Sequence, residues 1–324
     1  MLNPPTNEAL SIQAITNQAM ANQAVVNQGR IVKSLEQYIE KAAVLVEALP
    51  YIQSFRNKTV VIKYGGSAMG LGSESDTVLK DIVFMESVGM KPIVVHGGGP
   101  AIDRRLLEKG ISTKRVNGLR ITDEAVMAVV EETLFGEVNA GIVEQINQLG
   151  GRAVGVSARD AGILNVRKHF ADTSDGPVDI GFVGEVESVD CAPLLRLMET
   201  DAIPVVAPIG KGPGGAPYNV NADTAAGEVA AAIQAEKLVF LTDVTGIMRD
   251  PADAESLLST VHVDELHRLI DSGIVSGGMI PKVRACAHGV KAGVHKTHII
   301  DGRIPHSMLL EFFTDEGVGT QIVQ

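Results

Sequence analysis

Tryptophan is absent from the 324 residues, and aromatic residues of every kind make up only 4%. A chain so poor in flat side chains has no stacking platform for bases, and its formal charge of -11 opposes binding to a phosphate backbone. Nucleic acid is thereby excluded as a partner, and any small anion must be held by a few well-placed cations. Cysteine is nearly missing too. Cys191 and Cys286 stand far apart, which gives neither a disulfide framework nor a metal cluster and points to a reducing compartment. No run reaches 18 consecutive apolar residues, and the start of the chain lacks the basic and apolar segments of a signal peptide. The expectation is a cytoplasmic protein with no membrane segment.

What is present is an ordinary globular composition, with 45% apolar and 21% charged residues. It is long enough for two lobes or one large α/β domain. Asn17-Gln18, Asn22-Gln23 and Asn27-Gln28 recur at a spacing that builds no apolar stripe, so residues up to about Gly29 read as a weakly held helix or a disordered segment. From Ile31 the apolar positions Leu35, Ile39, Ala42, Val46 and Leu49 follow at steps of three or four. They predict an amphipathic helix that ends before Pro50 and packs either on its own domain or on another subunit.

The central stretch is Thr59-Val60-Val61-Ile62-Lys63-Tyr64-Gly65-Gly66. An apolar run suited to a strand covered on both faces delivers one lysine to a glycine turn, where backbone N–H groups can approach a ligand. Lys63 reads equally as a phosphate contact or as a lysine snorkelling at a strand end. A second buried strand, Pro92 to His96, runs into Gly97-Gly98-Gly99-Pro100 and a helix over Ala101–Lys109. Glycines at a helix N-terminus favour a carboxylate or phosphate, although such turns also occur for tight packing alone. This turn does not fit G-x-G-x-x-G, and no stretch fits G-x-x-x-x-G-K-[ST], so dehydrogenase and P-loop readings lose their support.

Further on, Arg120 precedes a predicted helix start at Thr122-Asp123-Glu124, and the helix itself is expected over Glu124–Leu149. A guanidinium there suits a carboxylate, or is simply a surface arginine. Strands are predicted at Arg152–Val156, Ile163–Val166 and Ile203–Pro208; Ile180–Val186 reads as a hairpin edge without chemistry, and Lys211–Pro217 as a turn-rich loop. Asn219, Asn221 and Asp223 alternate before an alanine-rich helix. One of them can cap that helix, which leaves two for a site. Lys237–Ile247 is a strand with a polar turn at its carboxyl end, where ligands bind in parallel sheets. Gly277-Gly278-Met279-Ile280-Pro281-Lys282 then sets a second isolated lysine near a helix start, and a last strand covers Thr297–Gly302.

Taken in order, Ile62-Lys63-Tyr64-Gly65-Gly66, His96-Gly97-Gly98-Gly99-Pro100, Asn117-Gly118-Leu119-Arg120, Asn219-Val220-Asn221-Ala222-Asp223 and Gly277-Gly278-Met279-Ile280-Pro281-Lys282 closely resemble the acetylglutamate kinases of the amino-acid kinase family. The likeness runs from about Leu45 to the C-terminus. It implies an α/β fold of two lobes around a continuous, mostly parallel open sheet with helices on both faces. Residues 1–50 would be an oligomerising and regulatory extension, 51–235 the lobe for the amino acid, and 236–324 the lobe for ATP and arginine. The implied reaction moves the ATP γ-phosphoryl group to the side-chain carboxylate of N-acetyl-L-glutamate, in arginine biosynthesis.

By the same resemblance Lys63, Lys282 and Asp223 are catalytic, and Gly98, Gly99, Arg120 and Asn219 hold the substrate. Gly65, Gly66, Thr242, Asp243, Gly246 and Met279 would surround the nucleotide. Mg2+ would be carried mainly by phosphates and water, because the sequence has no dedicated carboxylate cluster. The chain is similar to the arginine-inhibited type, in which a helix before the first strand interlaces dimers into a hexamer, and His298, Glu311 and Gly317 match its effector positions. Glu311 read alone is as well explained by solvation. The PII signalling protein regulates some members, and these residues give no support for it here. Three other readings stand beside this one: a related kinase with another acceptor such as carrier-bound aminoadipate, a silent arginine or nucleotide sensor, and a structural scaffold.

Overall fold

The computed structural model describes residues 35–36, 38–65, 75–174, 176–314 and 317–324. The Asn/Gln repeats and Gly66 lie outside the described residues. The chain divides into a first unit that closes at Gln53 and a second, Ser54–Gln324. In the first unit residues 38–47 are helical, with Leu35, Ile39, Val44, Leu45 and Val46 all exposed. This helix ends before Pro50, as the apolar spacing predicts, and a turn at Ala48 follows it. A further helix, Leu49–Phe55, takes Pro50 into its first turn, where the missing N–H costs nothing.

The second unit carries 14 strands among the described residues. They are β1 (Thr59–Tyr64), β2 (Lys91–His96), β3 (Arg115–Val116), β4 (Leu119–Arg120), β5 (Ala153–Ser157), β6 (Leu164–Thr173) and β7 (Gly176–Val189). Then follow β8 (Ile203–Ala207), β9 (Ile209–Lys211), β10 (Pro217–Asn219), β11 (Lys237–Thr242), β12 (Thr260–His262), β13 (Lys296–Asp301) and β14 (Gly319–Val323). Eight of them form one sheet in the order β12-β14-β13-β11-β1-β2-β8-β5. Every pairing from β13 to β5 is parallel, and the turn at the C-terminus makes β14 antiparallel to β13. The short β14 was not foreseen in the sequence.

Alternation along β1 assigns its residues to opposite faces. Val61 joins Val95, Phe240 and Ile299 in a core with the helices Ala222–Ala232 and Met279–Lys291. Val60 and Ile62 join Val94, Val239 and Leu241 on the other face, under helix Ser75–Ser87 and helix Ser307–Phe313. Lys63 therefore falls on the face of Val61, toward the first pair of helices. The chain runs from β1 to β2 on one side and returns to β11 on the other, so the switch point of the sheet lies at β1.

β6, β7, β9 and β10 close a small barrel. The expected hairpin edge at Ile180–Val186 is the middle of the long β7, and the expected loop at Lys211–Pro217 is a tight β9–β10 hairpin around Pro213–Gly215. The predicted helix Glu124–Leu149 is interrupted: α-helical Glu124–Glu131 and Ala140–Gln148 flank a π-helical Glu132–Asn139. Asp123 caps the first piece, accepting from the Val126 N–H at 2.9 Å.

The barrel is tied to that helix start at Thr122. The Phe182 N–H donates to the Thr122 carbonyl at 2.6 Å, and Gly181 between them has φ +80°. A Cβ on Gly181 would lie 2.1 Å from the Thr122 oxygen. Gly181→Ala is expected to lower the unfolding free energy by at least about 1–2 kcal/mol, the cost of the left-handed backbone alone, in a urea titration.

Candidate active site

Three side chains from distant parts of the chain meet at the carboxyl end of β1. Asp223 Oδ1 lies 3.0 Å from Lys63 Nζ, and Asp223 Oδ2 accepts from Lys282 Nζ at 2.9 Å. The side chains of Lys63 and Asp223 are each only 8% exposed, so the pair sits in a low-dielectric wall. Asp223 is positioned by its helix. Asn221 is the N-cap, its Oδ1 accepting from the N–H groups of Asp223 and Thr224 at 2.9 and 3.1 Å. One residue of the alternating triplet is thus the cap, and all three line the same cavity.

Burial pushes the Asp223 carboxyl up, yet the two ammonium groups, Lys63 ahead of Lys282, outweigh it and hold the carboxyl below the usual aspartate range.

Lys63 faces a cavity of about 250 Å³ lined with it by the glycine turn, Arg120, Asn219, Asn221 and Asp223, whereas Lys282 reaches Asp223 from outside these walls. Its floor depends on missing side chains. A Cβ on Gly98 would lie 2.5 Å from Leu134 Cδ2, and one on Gly65 would lie 3.0 Å from the Gly97 nitrogen and 3.2 Å from Lys63 Nζ. Arg120 is buried rather than a surface arginine. It pairs with Asp103 at 2.5 Å and reaches the Gly99 carbonyl at 3.4 Å, which leaves further N–H donors of its guanidinium for a ligand. Asn219 lies on β10 of the barrel and bonds Thr122 Oγ1 at 3.4 Å. β7, which showed no chemistry in the sequence over Ile180–Val186, belongs to the barrel that carries this residue to the cavity.

A larger cavity of about 1180 Å³ shares Asn221 and Asp223 and is bounded by Gly277, Gly278, Pro281 and Lys282. Met279 belongs to the same turn and packs half-buried on the core. Thr242, Asp243 and Gly246 lie at the carboxyl end of β11, outside the walls of both cavities. The Thr242 hydroxyl accepts from the Val244 N–H at 3.1 Å, and Asp243 is exposed. Gly246 is needed for packing, since a Cβ there would lie 2.5 Å from Thr320 Oγ1.

A metal has few protein ligands available. Among the described residues no group of three or more His, Cys, Asp or Glu side chains could hold one, and Asp223, the single carboxylate on the smaller cavity, has both oxygens committed to lysines.

A second polar cluster surrounds β13. His298 Nδ1 lies 2.7 Å from Glu311 Oε1, and Glu311 Oε2 accepts from the Val318 N–H at 3.1 Å. Gly317, at φ +64°, passes so close that a Cβ would lie 2.9 Å from that oxygen. Glu311 is therefore bonded rather than solvated. Lys237 completes the cluster, 4.0 Å from Glu311 and 4.4 Å above the Phe312 ring. Burial, opposed by Glu311, brings its ammonium group down to about 8. In the sequence it reads only as the first residue of a strand.

The pairing at Asp223 sets a pH dependence. A folded-state value below the unfolded one near 3.9 means that the stabilisation is complete above that pH and is lost as pH falls through the folded value. Asp223→Asn leaves the buried Lys63 ammonium group, and the half-buried one of Lys282, without a counter-charge and is expected to cost about 3–5 kcal/mol at pH 7 in chemical unfolding. The gap to the unsubstituted protein should narrow as the pH is taken below about 4.

Comparison with known proteins agrees with this geometry. Residues 58–301 match the amino acid kinase family. The chain is 50% identical over 291 residues to an acetylglutamate kinase of Heliobacterium modesticaldum, covering 88% of this chain and 99% of that one. It is 52% identical over 284 residues to an acetylglutamate kinase of Thermoanaerobacter pseudethanolicus, covering 88% and 93%. Among solved structures, N-acetylglutamate synthase from Neisseria gonorrhoeae, in complex with coenzyme A and N-acetyl-glutamate, superposes with a TM-score of 0.76 at 26% identity. That match covers 87% of this chain and 63% of the synthase. With its lysines, glycine turns and sheet order in place, the chain belongs to the amino acid kinase family, as a kinase whose close relatives are acetylglutamate kinases.

Proposed function

We propose that the protein transfers the γ-phosphoryl group of ATP to the side-chain carboxylate of N-acetyl-L-glutamate, as a step of arginine biosynthesis. The observation that carries the reading is the buried Lys63–Asp223–Lys282 bridge beside the glycine-walled cavity. A carboxylate nucleophile is already ionised, so no general base is needed. Catalysis reduces to alignment and to neutralising charge on the phosphoryl oxygens. A carboxylate oxygen attacks the γ-phosphorus, the bond to the bridging oxygen breaks, and ADP leaves. Lys63 and Lys282 approach the phosphoryl group from two sides, with Asp223 fixing both. The Gly98 and Gly99 amides hold the reacting oxygens, while Arg120 and Asn219 hold the rest of the amino acid.

The nucleotide lies on the side of Lys282, near Gly65, Gly66, Thr242, Asp243, Gly246 and Met279. Mg2+ would be held mainly by the phosphates and water, since Asp223 is already engaged, and would supply neutralisation of phosphate charge. The division into an amino-acid lobe, 51–235, and an ATP lobe, 236–324, follows from these roles. No helix among the described residues is long and apolar enough to cross a membrane, and a cytoplasmic location suits a protein using ATP and a free amino acid.

Arginine is proposed as a feedback inhibitor at His298, Glu311 and Gly317. Glu311 offers a buried carboxylate, and Lys237 beside it belongs to the same set. The exposed apolar residues of segment 35–49 support a hexamer built through the N-terminal helix. Nothing among the described residues argues for the PII signalling protein.

Trapping the acyl phosphate with hydroxylamine tests the reaction and the regulation together. Hydroxamate should form with Mg-ATP and N-acetyl-L-glutamate, fall by about 100- to 1000-fold in Lys63→Ala and in Lys282→Ala, and vanish as arginine is added. Near-normal turnover in either variant defeats the catalytic assignment, and hydroxamate indifferent to arginine defeats the effector site. Deleting residues 1–50 should reduce the mass in light scattering and weaken arginine inhibition; an unchanged mass with unchanged inhibition removes the extension from both roles.

A further inference from the structure

His96 ends β2 directly beneath the glycine turn and is fully buried. Its neighbours leave one arrangement of its protons. The Val205 carbonyl can only accept, so the Asn139 amide must present Nδ2 to it, at 2.8 Å. The same Nδ2 lies 3.0 Å from His96 Nε2, and because it can only donate, Nε2 is the bare nitrogen. The ring proton is then on Nδ1, which donates to the Gly97 carbonyl at 2.9 Å. Burial, opposed only by that bond to Gly97, acts in the same sense and brings the imidazole down to about 4.

The Gly97 carbonyl and the Gly98 N–H belong to one planar, trans peptide and point in opposite directions. Fixing the carbonyl toward His96 turns the Gly98 amide the other way, on a turn that lines the cavity. No acceptor for that amide appears among the described residues. The π-helical segment explains how the support is built. Leu134 packs under Gly98 and Asn139 under His96, five residues apart. In an α-helix such positions lie about 140° apart around the axis, whereas the wider i→i+5 winding brings them toward one face. Gly155 makes room for Asn139, since a Cβ there would lie 2.2 Å from Asn139 Oδ1.

We propose that His96, held by Asn139 as its Nδ1–H tautomer, is a positioning residue for phosphoryl transfer: it anchors the Gly97 carbonyl and thereby aims the Gly98 amide at the reacting oxygens. The inference rests on the kinase reading above. Its first test needs no substitution in the protein examined. In ¹⁵N-histidine NMR of the whole chain at pH 7, with the signal assigned by comparison with His96→Gln, His96 should show a protonated Nδ1 and a bare Nε2. The opposite tautomer, or a doubly protonated ring, overturns the proposal.

The second test is Asn139→Leu, which keeps the volume and removes the donor. Its kcat should fall about 100-fold, the scale of losing one oxyanion donor, with KM for N-acetyl-L-glutamate within about threefold. A kcat near that of the unsubstituted enzyme, or a loss confined to KM, overturns the proposal; if the variant fails to fold, the tautomer decides alone. An unsubstituted protein that does not phosphorylate N-acetyl-L-glutamate defeats the kinase reading and the inference together, whereas the wrong tautomer in an active kinase defeats the inference only.

Discussion

Two ammonium groups cannot converge on one largely buried point without a counter-charge, and Asp223 supplies it. Much of the second unit can be understood from that requirement. The carboxylate must stand between a strand and a helix that are remote in sequence, so the helix carrying it packs across β1 and against the helix carrying Lys282. Alanine and glycine make that packing close: a Cβ on Gly227 would already lie 3.1 Å from Ala285 Cβ. The small side chains of helix Ala222–Ala232, which look uninformative in composition, allow three charges to meet.

The glycine turns answer a complementary need. Lysines neutralise charge but orient nothing, whereas backbone amides have fixed directions once their peptide planes are fixed. Leu134 and Gly97 fill the space that side chains on Gly98 and Gly65 would need. The site thus combines paired cations with amides of fixed direction. The cluster at His298 and Glu311 uses similar elements, a buried carboxylate with a neighbouring lysine and a left-handed glycine, at a separate place on the same sheet.

Much of this was legible in the sequence, for local reasons. β1 and β2 are continuous apolar runs stopped by glycine, and Asn219, Asn221 and Asp223 keep their alternation into a helix start. What could not be read depends on partners far along the chain. Residues 132–139 keep an apolar spacing compatible with an ordinary helix, so the π winding stays hidden. Asn139 gains a role only when β2 and β8 come alongside it. Lys237 looks like any lysine before a strand until Glu311 and Phe312 cover it. Pro50 marks the end of one helix as read, but a proline can equally open the next, and that second helix stayed hidden.

The order of the sheet also bears on synthesis. β1 is the first strand made, yet it lies in the middle, and its neighbour β11 emerges only after the whole barrel. Until then one long edge of β1, three buried aliphatics and a lysine included, has no partner. Lys282 comes later still. A chain cut short of Lys282 therefore cannot assemble the three-charge bridge, and phosphoryl-transfer competence is itself a certificate that synthesis has passed that residue.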